Sequence, residues 1–304
     1  MTEKDLRKGL WISFFVLPGL TIVCTVILLP MFMSLYNSLF DWKQLLRGDF
    51  VGLDNFARIF AKEPYRTRFF NALGNNLKWF FVTMIVQNSL GLLIGWFLSR
   101  RVAGHEFFKR VIFIPVLFSI VAVGFLWGLY LKPNGLVNAF LKLLGHPEAQ
   151  RAWLGDQNIA TLTIIVVNIW RWVGFPSLVF LAAIDNVPVD CLEAAYLDGA
   201  REGTIFRRII LPLIVPSILV ITVLTIIGSL NVFEQIYTME GLDGSPNFST
   251  DTIGTLFYRT AFGSIDSGNP EIGVGSAIGV LIYLLTFGAS LLSIASLRLK
   301  EVEL

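Results

Sequence analysis

Side chains able to do chemistry are few and scattered in this sequence. His105 and His146 stand alone, with no metal-ligand spacing around them. Cys24 lies in an apolar run and Cys191 in a polar loop, so no disulfide is expected. The chain contains no G-x-x-x-x-G-K-[ST] phosphate loop, no G-x-S-x-G and no H-E-x-x-H. Catalytic residues and metal sites are therefore expected to be none, and no cofactor is expected on this chain. The acids of Asp243–Asp251 read as solvated loop charge. What remains are polar groups set into apolar runs. Trp170, Gly174 and Ser177 fall at i, i+4, i+7, on one helix face. Thr225 and Ser229 repeat the i, i+4 spacing, with Asn231 just beyond. Aromatic faces and hydroxyl-binding groups are what an uncharged sugar needs, for stacking and for hydrogen bonds at its rim. The alternative is plain helix packing, because small and hydroxyl residues are common where membrane helices meet. Arg171 admits two readings as well. It is a pathway cation suited to a phosphate-bearing cargo, or a structural donor to a neighbouring helix. Trp170 and Trp172 on either side favour the second.

The elements that must hold these residues are membrane helices. Of 304 residues 55% are hydrophobic and only 15% charged, against about 25% charged in average soluble domains. The net charge of +2 and the lack of a long basic run argue against a nucleic-acid partner. A hydrocarbon core needs roughly 20 apolar residues in helix. Six stretches qualify: about 10–33, 77–99, 111–131, 159–184, 209–230 and 272–297. They lack period-2 alternation and run too long for barrel strands. The fold class is accordingly all-α membrane protein with six transmembrane helices. A charged stretch, 1–9, precedes the first span, and no small-residue cleavage site follows it. It reads as a cytoplasmic N-terminus ahead of an anchor. With both ends inside, the inner segments hold 12 Lys/Arg in 52 residues and the outer ones 10 in 114. That asymmetry predicts cytoplasmic N- and C-termini. The two halves of the chain show no repeat of the kind many secondary transporters carry. An ion-coupled secondary transporter would also need buried acids, and only Glu234 comes near a span.

The inner segment 185–212, between spans four and five, is long and reads as folded protein. Pro188 breaks the preceding helix. Asp190 can cap a new one, with Glu193 three residues on as in a capping box. Leu192, Ala195 and Tyr196 share a face, and Ala194 with Ala195 keep the helix thin enough for a partner to approach. Asp198 and Gly199 end it, since glycine takes the left-handed position freely. A second helical stretch, Arg201–Ile210, then leads through Pro212 into the fifth span. A helix, a sharp turn and another helix suit insertion into a groove on a cytoplasmic partner.

The spacing Glu193-Ala194-Ala195, Gly199, Ile209, Leu211-Pro212 resembles the EAA-loop signature E-A-A-x3-G-x9-I-x-L-P at every fixed position. That signature marks permease subunits of binding-protein-dependent ABC importers with the type I permease fold. Asn186-Val187-Pro188, Asp198-Gly199-Ala200, Phe50–Phe56, Pro133–Asn138, Ile227-Gly228-Ser229 and Tyr258–Gly263 look like the carbohydrate-uptake branch. The resemblance is nearest to the first permease of maltose- and glycerol-3-phosphate-type systems and covers essentially the whole chain. One departure is the turn after span five. Family members often carry T-x-G-G-P, whereas this chain reads Met239-Glu240-Gly241-Leu242-Asp243-Gly244-Ser245-Pro246. The resemblance implies a helix docked in a cleft of an ATPase subunit, with Glu193 as anchor and Gly199 as turn. It implies a second homologous permease, two copies of an ABC ATPase carrying ATP and Mg, an extracytoplasmic solute-binding protein, and a bacterial or archaeal inner membrane. Aligning Gly174-Phe175-Pro176 with the family's G-Y-P-like turn puts Trp170, Gly174 and Ser177 on a sugar pathway. Glycerol-3-phosphate or a polyol would be alternative cargo.

Overall fold

A computed structural model describes residues 3–43, 45–263 and 268–298 of the chain. Helix α1 runs Glu3–Ile22, through a π turn at Val23–Leu28, into Leu29–Asn37. A hairpin follows, β1 (Phe40–Lys43) and β2 (Leu46–Phe50), antiparallel with Phe40 opposite Phe50. Then come α2 (Asp54–Ala61) and the long α3, which runs Tyr65–Val82, a π turn at Thr83–Gln87, and Asn88–Ser99. Next are α4 (His105–Phe113, tightening to 3-10 at Ile114–Leu117), α5 (Ile120–Tyr130) and α6 (Leu136–Leu143). After these lie α7 (Ala160–Trp172), α8 (Gly174–Asp185) and α9 (Val189–Leu197). Helix α10 joins Glu202–Ile205, a π turn at Phe206–Ile210 and Leu211–Leu213. The chain continues with α11 (Val215–Leu230), α12 (Glu234–Glu240), α13 (Ile253–Phe262) and α14 (Ile272–Arg298).

Three of these helices are each long and apolar enough to cross a bilayer: Phe14–Asn37, Tyr65–Ser99 and Ile272–Ala295. Three further stretches reach that length only as bent pairs. Helices α4 and α5 meet at 93°, α7 and α8 at 44°, and α10 and α11 at 69°. The sequence gives reasons for two of the breaks. Pro176 cannot donate to the Trp172 carbonyl and its ring crowds it, so α7 stops at Trp172. Pro216 sits in the first turn of α11, where no N–H is needed, so a helix restarts there after Ile214. The smooth passage expected through Pro212 is thus replaced by a corner two residues later. At the third break, Phe118 and Ser119 are extended, with ψ of 140° and 137°.

The chain folds as two compact units. In the first, up to Arg66 together with Phe257–Leu281, Asn55 is the central clamp. Buried in α2, it donates to the Ser38 and Phe40 carbonyls, each at 2.9 Å. Tyr65 donates to the Glu271 carboxylate at 2.6 Å.

The second unit, Thr67–Leu256 with the residues from Ile282, is the larger. Its tightest helix pair is α3 on α8, and glycine makes the approach possible. A Cβ at Gly95 would lie 2.8 Å from the Ser177 carbonyl oxygen, and one at Gly91 3.0 Å from the Pro176 ring. Small residues at four-residue spacing serve this purpose in membrane proteins. A buried amide network ties the segment before α13 to three helices. Asn75 donates to the Ser249 and Asp251 carbonyls, both at 2.8 Å. Asn76 donates to the Ser229 carbonyl at 2.6 Å and accepts from the Ile253 N–H at 2.9 Å. Thr161 donates to the Ser249 carbonyl at 2.6 Å. The expectation of solvated acids over Asp243–Asp251 is overturned at Asp251. It is fully buried and accepts the Thr255 hydroxyl at 2.6 Å, because this segment is packed into the core.

Candidate functional site

Two features of the second unit bring the chemistry-bearing residues together. The first is a cavity of about 560 Å³. Its walls come from α3 (Trp79, Thr83, Gln87, Asn88), α7–α8 (Asn168, Trp172, Phe175), α11 (Thr225, Ser229) and α12 (Glu234, Gln235). The π turn of α3 spans Thr83–Gln87, so an inserted residue re-aims this helix where it meets the cavity. Side-chain amides and hydroxyls knit the wall. Asn88 donates through Nδ2 to Thr225 Oγ1 at 2.9 Å, and Thr225 spends its own proton on the Ile221 carbonyl at 2.7 Å. Thr83 and Ser229 hydroxyls lie 3.4 Å apart. Gln235 turns its Nε2 to Met239 Sδ at 3.2 Å. The amide oxygens of Asn88 and Gln235 are buried and receive no donor.

Of the residues singled out in spans four and five, Thr225, Ser229 and Asn231 line this cavity. Trp170, Gly174 and Ser177 do not. The Trp170 ring is half-exposed and packs edge-on against Trp127, with centroids 5.5 Å apart. A Cβ on Gly174 would overlap the Ile112 carbonyl oxygen, so this glycine admits α4 to close contact. Ser177 is buried and donates to the Val173 carbonyl at 2.7 Å. The stripe that faces the cavity is the adjacent one, Asn168, Trp172 and Phe175. Sequence reasoning also passed over α3 entirely. The available signal was Thr83, Gln87 and Asn88, polar residues in an otherwise apolar run.

Arg171 takes the structural option. It is buried, and its Nε and Nη2 donate to the Phe118 carbonyl at 3.3 and 3.1 Å. That carbonyl is freed by the break between α4 and α5, so Arg171 supplies the missing donor. The guanidinium also lies 5.0 Å from the Trp172 ring centroid.

The second feature is α9 and what holds it. Leu192 and Ala195 pack inward onto a core of Phe180, Ile184, Ile205, Ile210, Ile214 and Ile221. Its carboxyl end is closed by two crossed bonds, Ala200 N–H to Ala195 O and Gly199 N–H to Tyr196 O, each 3.0 Å, with Gly199 at φ +73°. The amino end differs from expectation. Pro188 is the N-cap residue, α9 begins at Val189, and no side chain caps it. Extended Pro188 already starts the helix, which leaves Asp190 inside the first turn, where it can only favour the helix dipole. The second helix also starts later than expected, with Arg201 extended and helical geometry from Glu202. Arg100 reaches across to Glu202 as an ion pair, with its guanidinium 4.2 Å from the Trp96 ring centroid. Trp96 in turn packs on Phe206 at 4.6 Å.

With its inner face so clamped, α9 turns Glu193, Ala194, Tyr196, Leu197 and Val189 outward. Leu197 is 89% exposed. Ala195, expected to thin the outward face, points into the chain's own core. Asp198 and Gly199 are exposed at the end of the same surface. Leucine and valine this exposed beside a carboxylate make a surface suited to a partner.

Comparison with known proteins gives consistent matches. The profile of the family described as binding-protein-dependent transport system inner membrane component matches residues 87–298. The probable ABC transporter permease protein YurN of Bacillus subtilis (strain 168) is 30% identical, over 95% of this chain and 96% of its own. The trehalose/maltose transport system permease protein MalF of Thermococcus litoralis is 32% identical, over 89% and 88%. Among solved structures, a chain of a bacterial ABC transporter involved in the import of the acidic polysaccharide alginate superimposes with a TM-score of 0.80. It is 25% identical, and 97% of each chain is covered.

Proposed function

The chain belongs to the binding-protein-dependent transport system inner membrane components, and from that premise we propose that it is the permease subunit of an ATP-driven sugar importer. The observation that carries the sugar reading is the lining of the cavity. The indole of Trp172 offers a flat apolar face, and Gln87, Thr225 and Asn231 offer hydrogen-bonding groups. A pyranose has an apolar face and a rim of hydroxyls, and it needs both. The names of relatives such as the trehalose/maltose permease support the same cargo class.

In this reading the chain crosses a bacterial or archaeal inner membrane six times, with α4–α5, α7–α8 and α10–α11 each forming one bent span and both termini cytoplasmic. A second homologous permease completes the pathway. Two ABC ATPase subunits carry ATP and Mg, and an extracytoplasmic binding protein delivers the solute. Helix α9 sits in a cleft of the ATPase. Glu193 pairs there with a basic group, and Ala194 allows close approach. The Gly199 turn fixes the angle, and Asp198 lies at the rim. The clamp of Leu192 and Ala195 on the core makes α9 move as one body with α8 and α10. The corner at Ile214 lets α11 swing against them. This subunit makes and breaks no covalent bond.

The test is purification of the tagged chain from its native host, followed by reconstitution with whatever accompanies it. An ATPase and a second permease should co-purify, and ATP should drive sugar uptake when the binding protein is added. Purification alone in stable form, or uptake driven by an ion gradient without ATP, overturns the reading.

A further inference from the structure

Helix α6 turns an apolar face away from the rest of its unit. Leu136, Phe140, Leu143 and Leu144 fall at i, i+4, i+7 and i+8, and they are 61%, 58%, 82% and 56% exposed. The opposite side is firmly held. Val137 packs on the core of Val123, Leu131 and Val167, with Trp153 beside it. Asn138, buried, staples the helix to the segment that follows. It donates to the Pro133 and Arg151 carbonyls at 3.0 and 2.8 Å, and accepts the Trp153 indole N–H at 2.8 Å. With that side fixed inward, the four apolar side chains cannot rotate out of the surface.

The surroundings of this face point to lipid as its cover. When α4–α5 is one bent span, the exposed stripe of Val121, Phe125 and Leu129 on α5 faces the bilayer. Only Leu131–Gly135 separate α5 from α6, and a Cβ on Gly135 would overlap the Tyr130 carbonyl oxygen. Helix α6 therefore starts against the end of α5 and prolongs its apolar surface. The face offers no side-chain hydrogen-bonding group, whereas a protein interface that is made and broken is about as polar as the rest of a surface. At its flanks, Lys132 and Lys142 are exposed on stems long enough to carry their ammonium groups to lipid phosphates. Tyr130 and Trp153, before and after α6, are ring types enriched where helices leave the bilayer.

Resting on the reading of α4–α5 as one bent span with its carboxyl end outside, we propose that α6 is an interfacial anchor. It lies along the outer leaflet, with Leu136, Phe140, Leu143 and Leu144 entering the boundary between headgroups and acyl chains. The connection 131–158 is thus bound to the membrane along its first half. The anchor also bears on the cavity wall. Gly124 of α5 admits Thr238 of α12 to close contact, and α12 carries Gln235.

The test places one spin label at a time on the chain, purified with its accompanying subunits in nanodiscs of phosphatidylcholine and phosphatidylglycerol. The background carries Cys24→Ser and Cys191→Ser. Labels go on Phe140→Cys and Leu143→Cys in the face, on Glu148→Cys in the exposed segment beyond it, and on Phe125→Cys in α5. Oxygen partitions into lipid and a charged nickel chelate stays in water, so the ratio of the two accessibilities reports depth. At positions 140 and 143 the ratio should exceed that at 148 by about threefold or more and approach that at 125. Ratios at 140 and 143 equal to that at 148, with 125 in lipid, put α6 in water and overturn the inference alone. Low accessibility to both reagents at 140 and 143 means that a protein covers the face, and also overturns it. A water-like ratio at 125 overturns the bent-span reading and the inference with it.

Discussion

The cavity and the outward face of α9 are built on opposite plans. Helix α9 is a single regular helix, closed by a glycine motif and clamped on its inner face by Leu192 and Ala195. Its outward surface carries exposed Val189, Tyr196 and Leu197 with the carboxylates of Glu193 and Asp198. The cavity is concave and lined by amides. Irregular backbone borders it: a π turn at Thr83–Gln87 and a bend after Trp172. A surface that must receive force has to be stiff, or the push is lost in local bending. A cavity that must fill and empty needs helices able to change angle. On the proposed function, regular geometry at α9 and breaks around the cavity serve those two needs. The comparison predicts that changes on α9 and changes in the wall will act on different observables.

The largest effect is expected at Glu193. Removing one member of a buried charge pair at an interface costs about 2–5 kcal/mol, so Glu193→Ala should lower ATPase association or coupled transport by about 30-fold or more. Sugar affinity at the cavity should stay unchanged, because the side chain is exposed and makes no contact with the wall. Transport at the wild-type rate would break the assignment of α9. A parallel loss of sugar affinity would break the separation of the two regions.

Next in size is the α3–α8 seam behind the cavity. Gly95→Val places atoms within 2.8 Å of a backbone oxygen that cannot move aside easily. Overpacking of this kind costs about 1–3 kcal/mol. Thermal unfolding in detergent should show a lowered midpoint. An unchanged midpoint would mean that the seam is looser than its geometry says. A smaller effect is expected from Thr225→Val, which deprives Asn88 Nδ2 of its oxygen acceptor and leaves it only the Met84 sulfur. Loss of one such bond costs about 1 kcal/mol. Sugar affinity should fall several-fold with little change in the unfolding midpoint, and an affinity equal to wild type would remove Thr225 from the site.

The two regions also differed in how far they could be read from sequence. Helix α9 was legible because its determinants are local. Gly199 fixes the turn within a few residues, and the apolar positions Leu192 and Ala195 lie one turn apart. Only the capping box misread it, since Pro188 had already begun the helix. The cavity was legible in part. Thr225 and Ser229 share a stripe of one straight helix, so spacing sufficed, and Asn231 is the residue that caps its end. Trp170, Gly174 and Ser177 were placed by spacing across the bend after Trp172, where a straight-helix rule no longer holds. Trp79, Thr83 and Asn88 reach the cavity only through tertiary packing of α3, which no local pattern encodes. The break at Phe118 was hidden because Arg171, distant in sequence, is what satisfies the freed carbonyl.

The last effect, confined to pH above the ordinary carboxyl range, concerns α12, which carries Gln235 into the cavity wall and ends at Glu240. Burial pushes the Glu240 carboxyl up to about 7, from an ordinary value of 4.5. Desolvation disfavours the charged form, so the folded chain binds this proton more tightly than the unfolded chain. A raised carboxyl pKa means stability that is fully present below pH 4.5 and is lost as pH rises through about 7. Glu240→Gln keeps the shape of the neutral acid and has no proton to lose. The variant should therefore match wild type near pH 4.5 and unfold at a higher temperature than wild type at pH 8. The gap should open between those values and then level off, because both folded and unfolded wild type are ionised above about 7. A gap that is the same at every pH would show that Glu240 is solvated. If the gap also appears in sugar affinity, α12 transmits the titration to Gln235, and the wall of the cavity answers to pH through its own supporting helix.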